Sequence, residues 1–211
     1  MMKNEINIIE KLASSLNRRD EVPNQELAKE IVLSKNKKAV KELIDNLSNK
    51  KAIQNDCIKV LYEIGNQEPK LIADYINKFV QQLNSKNNRL QWGAMTAIGS
   101  ITNERPKEIY SMLPTILEAA DKGSVITKDH AVNVLIKLCA TKSHSDSAFT
   151  LLIEQLLKSP TNQLPMYAER AIPVVNEKNK TLFVKTLTSR LDDIEKETKR
   201  KRVEKVIKKF K

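Results

Sequence analysis

Apolar positions along this chain repeat at two scales. Within a segment, a small residue is followed four positions on by a large aliphatic and three further on by another, which lays all three on one helical stripe. Between segments the same triplet returns every 37 residues. The stretch Asn87 to Asn103, NNRLQWGAMTAIGSITN, is the clearest copy. One period away from Ala94 stand Cys57 and Ala131, with Ala168 a further period on. Ile98 maps in the same way onto Leu61, Leu135 and Ile172, and Ile101 onto Ile64, Leu138 and Val175. A constant period of this length predicts stacked helix pairs, because one amphipathic pair cannot bury its own apolar face.

The elements follow in order. Residues 4–17 place Ile6, Ile9, Leu12, Ala13 and Leu16 on one stripe, predicting a helix that ends at Arg18-Arg19-Asp20. Pro23 opens a second helix through Leu27, Ala28, Ile31 and Val32, as proline favours the first helical turn. This pair stands outside the register and reads as an atypical N-terminal cap over residues 1–35. Regular units are expected over 36–191. The first joins Ala39, Val40, Leu43, Ile44 and Leu47 to Ile53, Cys57, Leu61 and Ile64, with Gly65 closing its second helix. Glu68-Pro69 opens the next, whose stripe Leu71, Ile72, Tyr75, Ile76, Phe79, Val80 and Leu83 is the longest. Asn103-Glu104-Arg105-Pro106 repeats Asn66-Gln67-Glu68-Pro69 one period later and marks another helix start.

The fourth unit pairs Ala148, Phe149, Leu152, Ile153, Leu156 and Leu157 with Tyr167, Ala168, Ala171, Ile172 and Val175. Pro165 fits its second helix's start, and Pro173 should kink or end that helix. A last pair carries Leu182, Phe183, Leu187 and Leu191, then Val203, Val206, Ile207 and Phe210. Residues 192–211 read as a basic closing cap, and 1–211 as a single domain.

In the third unit, Leu113-Pro114 is followed by Asp121, Ala131 and Val134-Leu135. This resembles a HEAT repeat, whose first helix often carries a proline after leucine, with an aspartate at the turn and an alanine before an Ala-Leu-like pair. The resemblance extends more weakly over 36–191. It implies an all-α fold, a right-handed α-α superhelix of about five to six helix pairs. HEAT units also place an arginine early in the second helix, bonded to the turn aspartate of a neighbour. Gln54, Gln91 and Lys128 stand there instead, so that polar ladder is mostly missing and apolar packing is expected to set the curvature.

Composition agrees with helices: four Gly, seven Pro and few aromatics, against abundant Leu, Ala, Glu, Lys and Ile. The net charge of +11 raises a nucleic-acid reading, but residues 195–211 hold nine Lys and Arg against three Glu, so the excess is concentrated at the tail. The start, MMKNEINIIEKL, lacks the apolar core of an export signal, and no run approaches the roughly 20 apolar residues of a membrane span. A soluble cytoplasmic protein is expected. Cys57 and Cys139 lie 82 residues apart, on units two steps away from each other. At about 8 to 10 Å per step they are too distant to pair, so reduced core thiols are expected.

No catalytic signature, metal site or cofactor site is legible. The four Gly residues are too scattered for a phosphate-cradling loop, and His130 and His144 stand 14 apart with no Cys or carboxylate at the spacing of a metal-ligand set. Trp92, the only Trp, lies nearly opposite the buried stripe of its helix. By register it shares a face with Arg89, and Lys59, Thr96, Asn133 and Arg170 line up one turn along. An aromatic anchor among cations has the composition of a binding surface on the inner, concave side. The alternative is that Trp92 only fills a gap in the stack. The tail residues Lys199, Arg200, Lys201, Arg202 and Lys205 are candidates for phosphate contact through counterion release, or serve to solvate an exposed end.

Two functions follow. The first is a non-catalytic scaffold that binds a protein partner in its concave groove. The alternative is a nucleic-acid-binding protein related to the DNA-alkylation-repeat glycosylases, which resemble this chain in their helical repeats and use concave aromatic and acidic residues. That comparison fits Trp92, Asp129 and Arg170 in part, but Thr96 stands where a carboxylate is needed and there is no second Trp. A partner of a chromophore or cofactor protein is a third class that no residue singles out. Neither a small-molecule substrate nor a membrane is indicated.

Overall fold

The computed structural model describes residues 7–210, and among these every regular element is helical. They divide into two compact units, one reaching to Ala131 and one starting at Val132.

The first unit contains α1 (Val22–Ser34), α2 (Lys37–Asp45), α3 (Lys51–Gln67), α4 (Ile76–Gln82), α5 (Asn88–Ile101), α6 (Pro106–Ser111) and α7 (Leu113–Lys122). The next helix, α8 (Val125–Cys139), carries the division within it. α3 is the central element, packed against α1, α2 and α5, and α4 covers α5. The second unit contains α9 (Ser145–Lys158), α10 (Leu164–Ala171), α11 (Lys180–Ser189) and α12 (Glu197–Lys208). Here α10 packs on α9 and α12, while α11 packs on α9 and α12.

The 37-residue register is a register of burial. Cys57, Ala94 and Ala168 are 0% exposed and Ala131 1%, and Leu61, Ile98, Leu135, Ile64, Ile101 and Leu138 are all 0%. The fourth copy loosens: Ile172 and Val175 are half-buried. Pro173 is the cause, since it has no N–H to give and its ring blocks a further helical turn. α10 ends at Ala171, a single 3-10 turn covers Ile172–Val174, and Val175 is extended. Pro23, Pro106, Pro114 and Pro165 all lie in the first turn of a helix.

In the described part of the predicted helix over 4–17, residues 7–17, a 3-10 turn at Ile8–Lys11 and irregular chain after it take its place. Its Ile6 lies outside the described residues. The physical reason is competition for backbone donors. The N–H of Ala13 donates to Asn24 Oδ1 at 3.0 Å and that of Ser14 to Asp56 Oδ2 at 2.8 Å, so neither serves a helical carbonyl. Leu12 and Ala13 are buried, Ile9 is half-buried and Leu16 is 50% exposed.

Other elements differ in detail. The long stripe from Leu71 to Leu83 is broken into 3-10 turns at Pro69–Leu71 and Ala73–Tyr75 before α4. Pro114 does not sit inside one helix, because Met112 interrupts the backbone between α6 and α7. Leu157 and Leu182, expected in the core, are 46% and 47% exposed. A single side-chain amide links α3 and α5 near the positions where a HEAT ladder would run. Asn87, at the N-terminus of α5, donates to Gln54 Oε1 at 3.2 Å and Asn55 Oδ1 at 2.8 Å on α3.

Gly65 does not close α3, which continues to Gln67. It and Gly93 mark close approach: a Cβ on Gly65 would lie 2.2 Å from Ser100 Oγ, and one on Gly93 2.8 Å from Ile58 Cγ1. In an exposed helix Gly→Ala stabilises by about 1 kcal/mol. Gly93→Ala is expected to do the reverse, costing about 1 to 2 kcal/mol in urea unfolding, because buried, β-branched Ile58 has few rotamers to move into. A stabilised Gly93→Ala protein would show that α3 and α5 have slack between them.

Candidate partner-binding face

Four of the predicted site residues meet in the first unit, where α3 and α5 lie side by side. Trp92 of α5 is half-buried, its ring 5.7 Å from that of Tyr62 on α3 with 44° between the planes. The Lys59 ammonium lies 4.9 Å from the centre of the Tyr62 ring, within range of a cation–π contact. It also pairs with Glu63 at 2.6 Å and Glu21 at 2.9 Å, and Arg89 pairs with the same Glu21. The amides that Asn87 donates to α3 hold the first turn of α5, and so Arg89 and Trp92, beside Lys59 and Tyr62.

Two expectations about this face are corrected. Lys59 is 5% exposed and is a cation enclosed by its two carboxylates, not a free binding group. Burial alone pulls its ammonium pKa down, but the bonds to Glu63 and Tyr62 outweigh this and leave it above the usual lysine value. Thr96 is buried and donates its hydroxyl to the Trp92 carbonyl at 2.9 Å, so it is committed to its own helix. Burial raises the Tyr62 phenol pKa, partly offset by Lys59. What remains reachable is the half-buried Trp92, backed by the buried Tyr62 ring, in a frame of mutually neutralised charges.

Asn133 on α8 and Arg170 on α10 both belong to the second unit, half-buried and exposed respectively. Most of the tail cations are tied down. Lys199 donates to Asn162 Oδ1 at 2.6 Å, Arg200 to the Ile194 carbonyl at 3.2 Å, and Lys201 pairs with Glu197 at 2.6 Å. Arg202 forms a two-pronged pair with Glu169 at 2.8 and 2.6 Å. That bond, with the charges of Lys205 and Lys209 nearby, holds the Glu169 carboxyl below the usual range. Lys205 is exposed, and Lys211 lies outside the described residues.

The sequence reading missed Glu21, Tyr62, Glu63 and Arg190. Tyr62 and Glu63 stand three and four residues after Lys59, a spacing that puts them on its side of a helix and was available as a signal. Glu21 had none, since its partners are remote in sequence. Arg190 closes the C-terminus of α9, donating to the carbonyls of Leu156 (2.8 Å), Leu157 (2.6 Å) and Ser159 (3.0 Å), and to Asp193 at 2.6 Å. Such carbonyls have no partner within their own helix.

Cys57 and Cys139 are buried free thiols, each pushed up to about 12, chiefly by burial. Among the described residues no group of three or more His, Cys, Asp or Glu is placed to hold a metal ion, and no helix is long and apolar enough to cross a membrane. No family model matches the chain, and no curated protein matches it. Among solved structures, the chain is similar to one described as an engineered protein, at 19% identity and a TM-score of 0.58, covering 95% of this chain and 98% of that one. At that identity the likeness shows the fold alone.

Proposed function

We propose that this chain is a HEAT-type helical-repeat scaffold, a right-handed stack of helix pairs that holds a segment of a partner protein and carries out no chemistry of its own. The observation that carries this reading is Trp92, half-buried and backed by the buried ring of Tyr62 in a preformed frame. Large aromatic groups on rigid helices are the usual anchors of protein interfaces, because they contribute apolar area at little cost in side-chain entropy. Burial of every small residue at the 37-residue step supports the repeat reading. The ion-paired cations of the candidate face and of α12 favour protein over nucleic acid. Lys59 and Arg89 are balanced by Glu21 and Glu63, and Arg202 and Lys201 are balanced by Glu169 and Glu197.

Trp92 is the only Trp, so its emission reports directly on this face. Peptides enriched from a random library on the immobilised chain are expected to shift that emission on titration. Trp92→Ala, with folding checked by circular dichroism, is expected to weaken them about thirtyfold, the loss typical of an interface anchor, and Trp92→Phe by less. Enriched peptides that leave the emission unchanged and bind the Trp92→Ala protein equally well would refute this assignment.

A further inference from the structure

We infer that α11 and the end of α12 form a second docking groove, which takes an acidic amphipathic helix from another protein. The groove encloses about 520 Å³ and runs along Thr181, Val184, Lys185 and Thr188, with Phe210 as its far wall. Those four α11 residues stand at i, i+3, i+4 and i+7, one helical face. The other face, Phe183, Thr186 and Leu187, is buried in the unit. α11 is therefore used on one side and open on the other.

Three features define the occupant. The groove has an apolar lining in Val184 and Phe210, and the Phe210 ring is fixed edge-on against buried Phe183 at 5.7 Å and 88°. A wall already fixed by packing has little entropy to lose on binding. The charged lining residues described are Lys180, which pairs with Glu177 at 2.7 Å beside the groove, and Lys185, which is exposed; no carboxylate lines the groove itself. Residues 132–211 as a whole hold 17 Lys and Arg against 9 Asp and Glu, a net of +8. Apolar anchors flanked by carboxylates complement this surface in both hydrophobicity and sign. With ten residues, α11 offers about 15 Å of length, enough for two to three turns of a helix laid in the groove.

A second copy of the chain fits less well. Among the described residues the most exposed large apolar one, Leu33 at 87%, stands between Lys29 and Lys35, which would meet Lys185 with like charge. A phosphodiester backbone would match the lysines and leave Val184 and Phe210 without a partner.

The test is fluorescence anisotropy with a labelled synthetic helix bearing leucines on one face and glutamates on the others. Binding is expected, weakened about tenfold by Lys185→Glu and at least as much by Val184→Asp. The Lys185→Glu protein is expected to prefer the same peptide with lysines in place of glutamates. Lys185 is exposed, so its substitution leaves the fold in place even if Val184→Asp does not. Trp92→Ala is expected to leave this affinity unchanged, which separates failure here from failure of the Trp92 face. Equal binding of a scrambled peptide, an unaffected Lys185→Glu protein, stronger binding of a single-stranded oligonucleotide, or a dimer in light scattering that Val184→Asp dissolves would each overturn the assignment.

Discussion

Asp56→Ala is expected to cost the protein about 3 kcal/mol, a melting temperature lower by roughly 8 °C. Asp56 is 9% exposed and receives two hydrogen bonds, from the Ser14 N–H and the Asn24 side-chain amide, both at 2.8 Å. Asn24 is 0% exposed and passes the connection on by accepting from the Ala13 N–H at 3.0 Å. Removing the carboxylate strands two donors, and each buried donor left without a partner costs about 1 to 3 kcal/mol. The second consequence is local. Residues around Ala13 and Ser14 are held to α1 and α3 by these bonds in place of helical ones, so their amides should exchange with solvent far faster in the variant. Asp56→Asn keeps one acceptor but turns a donor toward a donor, and an intermediate loss is expected. Hydrogen exchange with mass spectrometry, read beside the melt, checks both effects. A protein that melts within a degree of the parent and keeps protection at Ser14 would show that the network is dispensable.

That network also marks where reading the chain stops being enough. The 37-residue step was legible because burial on a helix is periodic, and Cys57, Ala94, Ala131 and Ala168 are all buried as the step requires. Helix starts were legible from Pro23, Pro106 and Pro165, and a helix end from Pro173, since proline acts through its own ring and missing N–H, whereas Pro114, expected inside a helix, lies in the first turn of α7. The N-terminal segment has an equally good helical stripe and is not a helix. Its amides find side-chain acceptors 11 and 42 residues away, and no local pattern announces them. The same limit governs the candidate face. Register placed Lys59, Arg89 and Trp92 together, but Glu21, which neutralises both cations, comes from an element outside the register. Pairing, not position, decides whether a cation is available to a ligand, and pairing is a tertiary property.

The consequence for the two candidate grooves is a difference in kind. On the first unit the aromatic pair is framed by cations whose charges are already answered within the fold, so selectivity there would rest on shape and apolar contact. On the second unit Lys185 is exposed beside an apolar lining, so attraction for acidic ligands should weaken with salt. A salt series on any identified partner therefore tells which groove it uses.

Phe183→Ala should be the most damaging single substitution of those considered, at about 4 kcal/mol. Phe183 is 0% exposed on α11 and joins two other rings, Phe149 of α9 at 6.5 Å and Phe210 beyond α12 at 5.7 Å. Its loss opens a cavity where three segments meet, and an alanine leaves neighbours that can relax only in part. Phe183→Leu keeps most of the volume and is expected to cost about 1.5 kcal/mol. Cys139 gives a direct reading within the same unit. Its thiol is buried and pushed up to about 12, so in the folded protein at neutral pH almost none of it is the reactive thiolate. Alkylation then requires opening, and its rate follows the population of the open form when reclosing is fast. Phe183→Ala should speed Cys139 labelling by up to about a thousandfold, whereas Phe183→Leu should speed it about tenfold, the factors corresponding to their stability losses. Unchanged labelling in Phe183→Ala would mean that the packing of α9, α11 and the chain end does not depend on this ring. The docking groove would then have to owe its far wall to something other than the contact between Phe183 and Phe210.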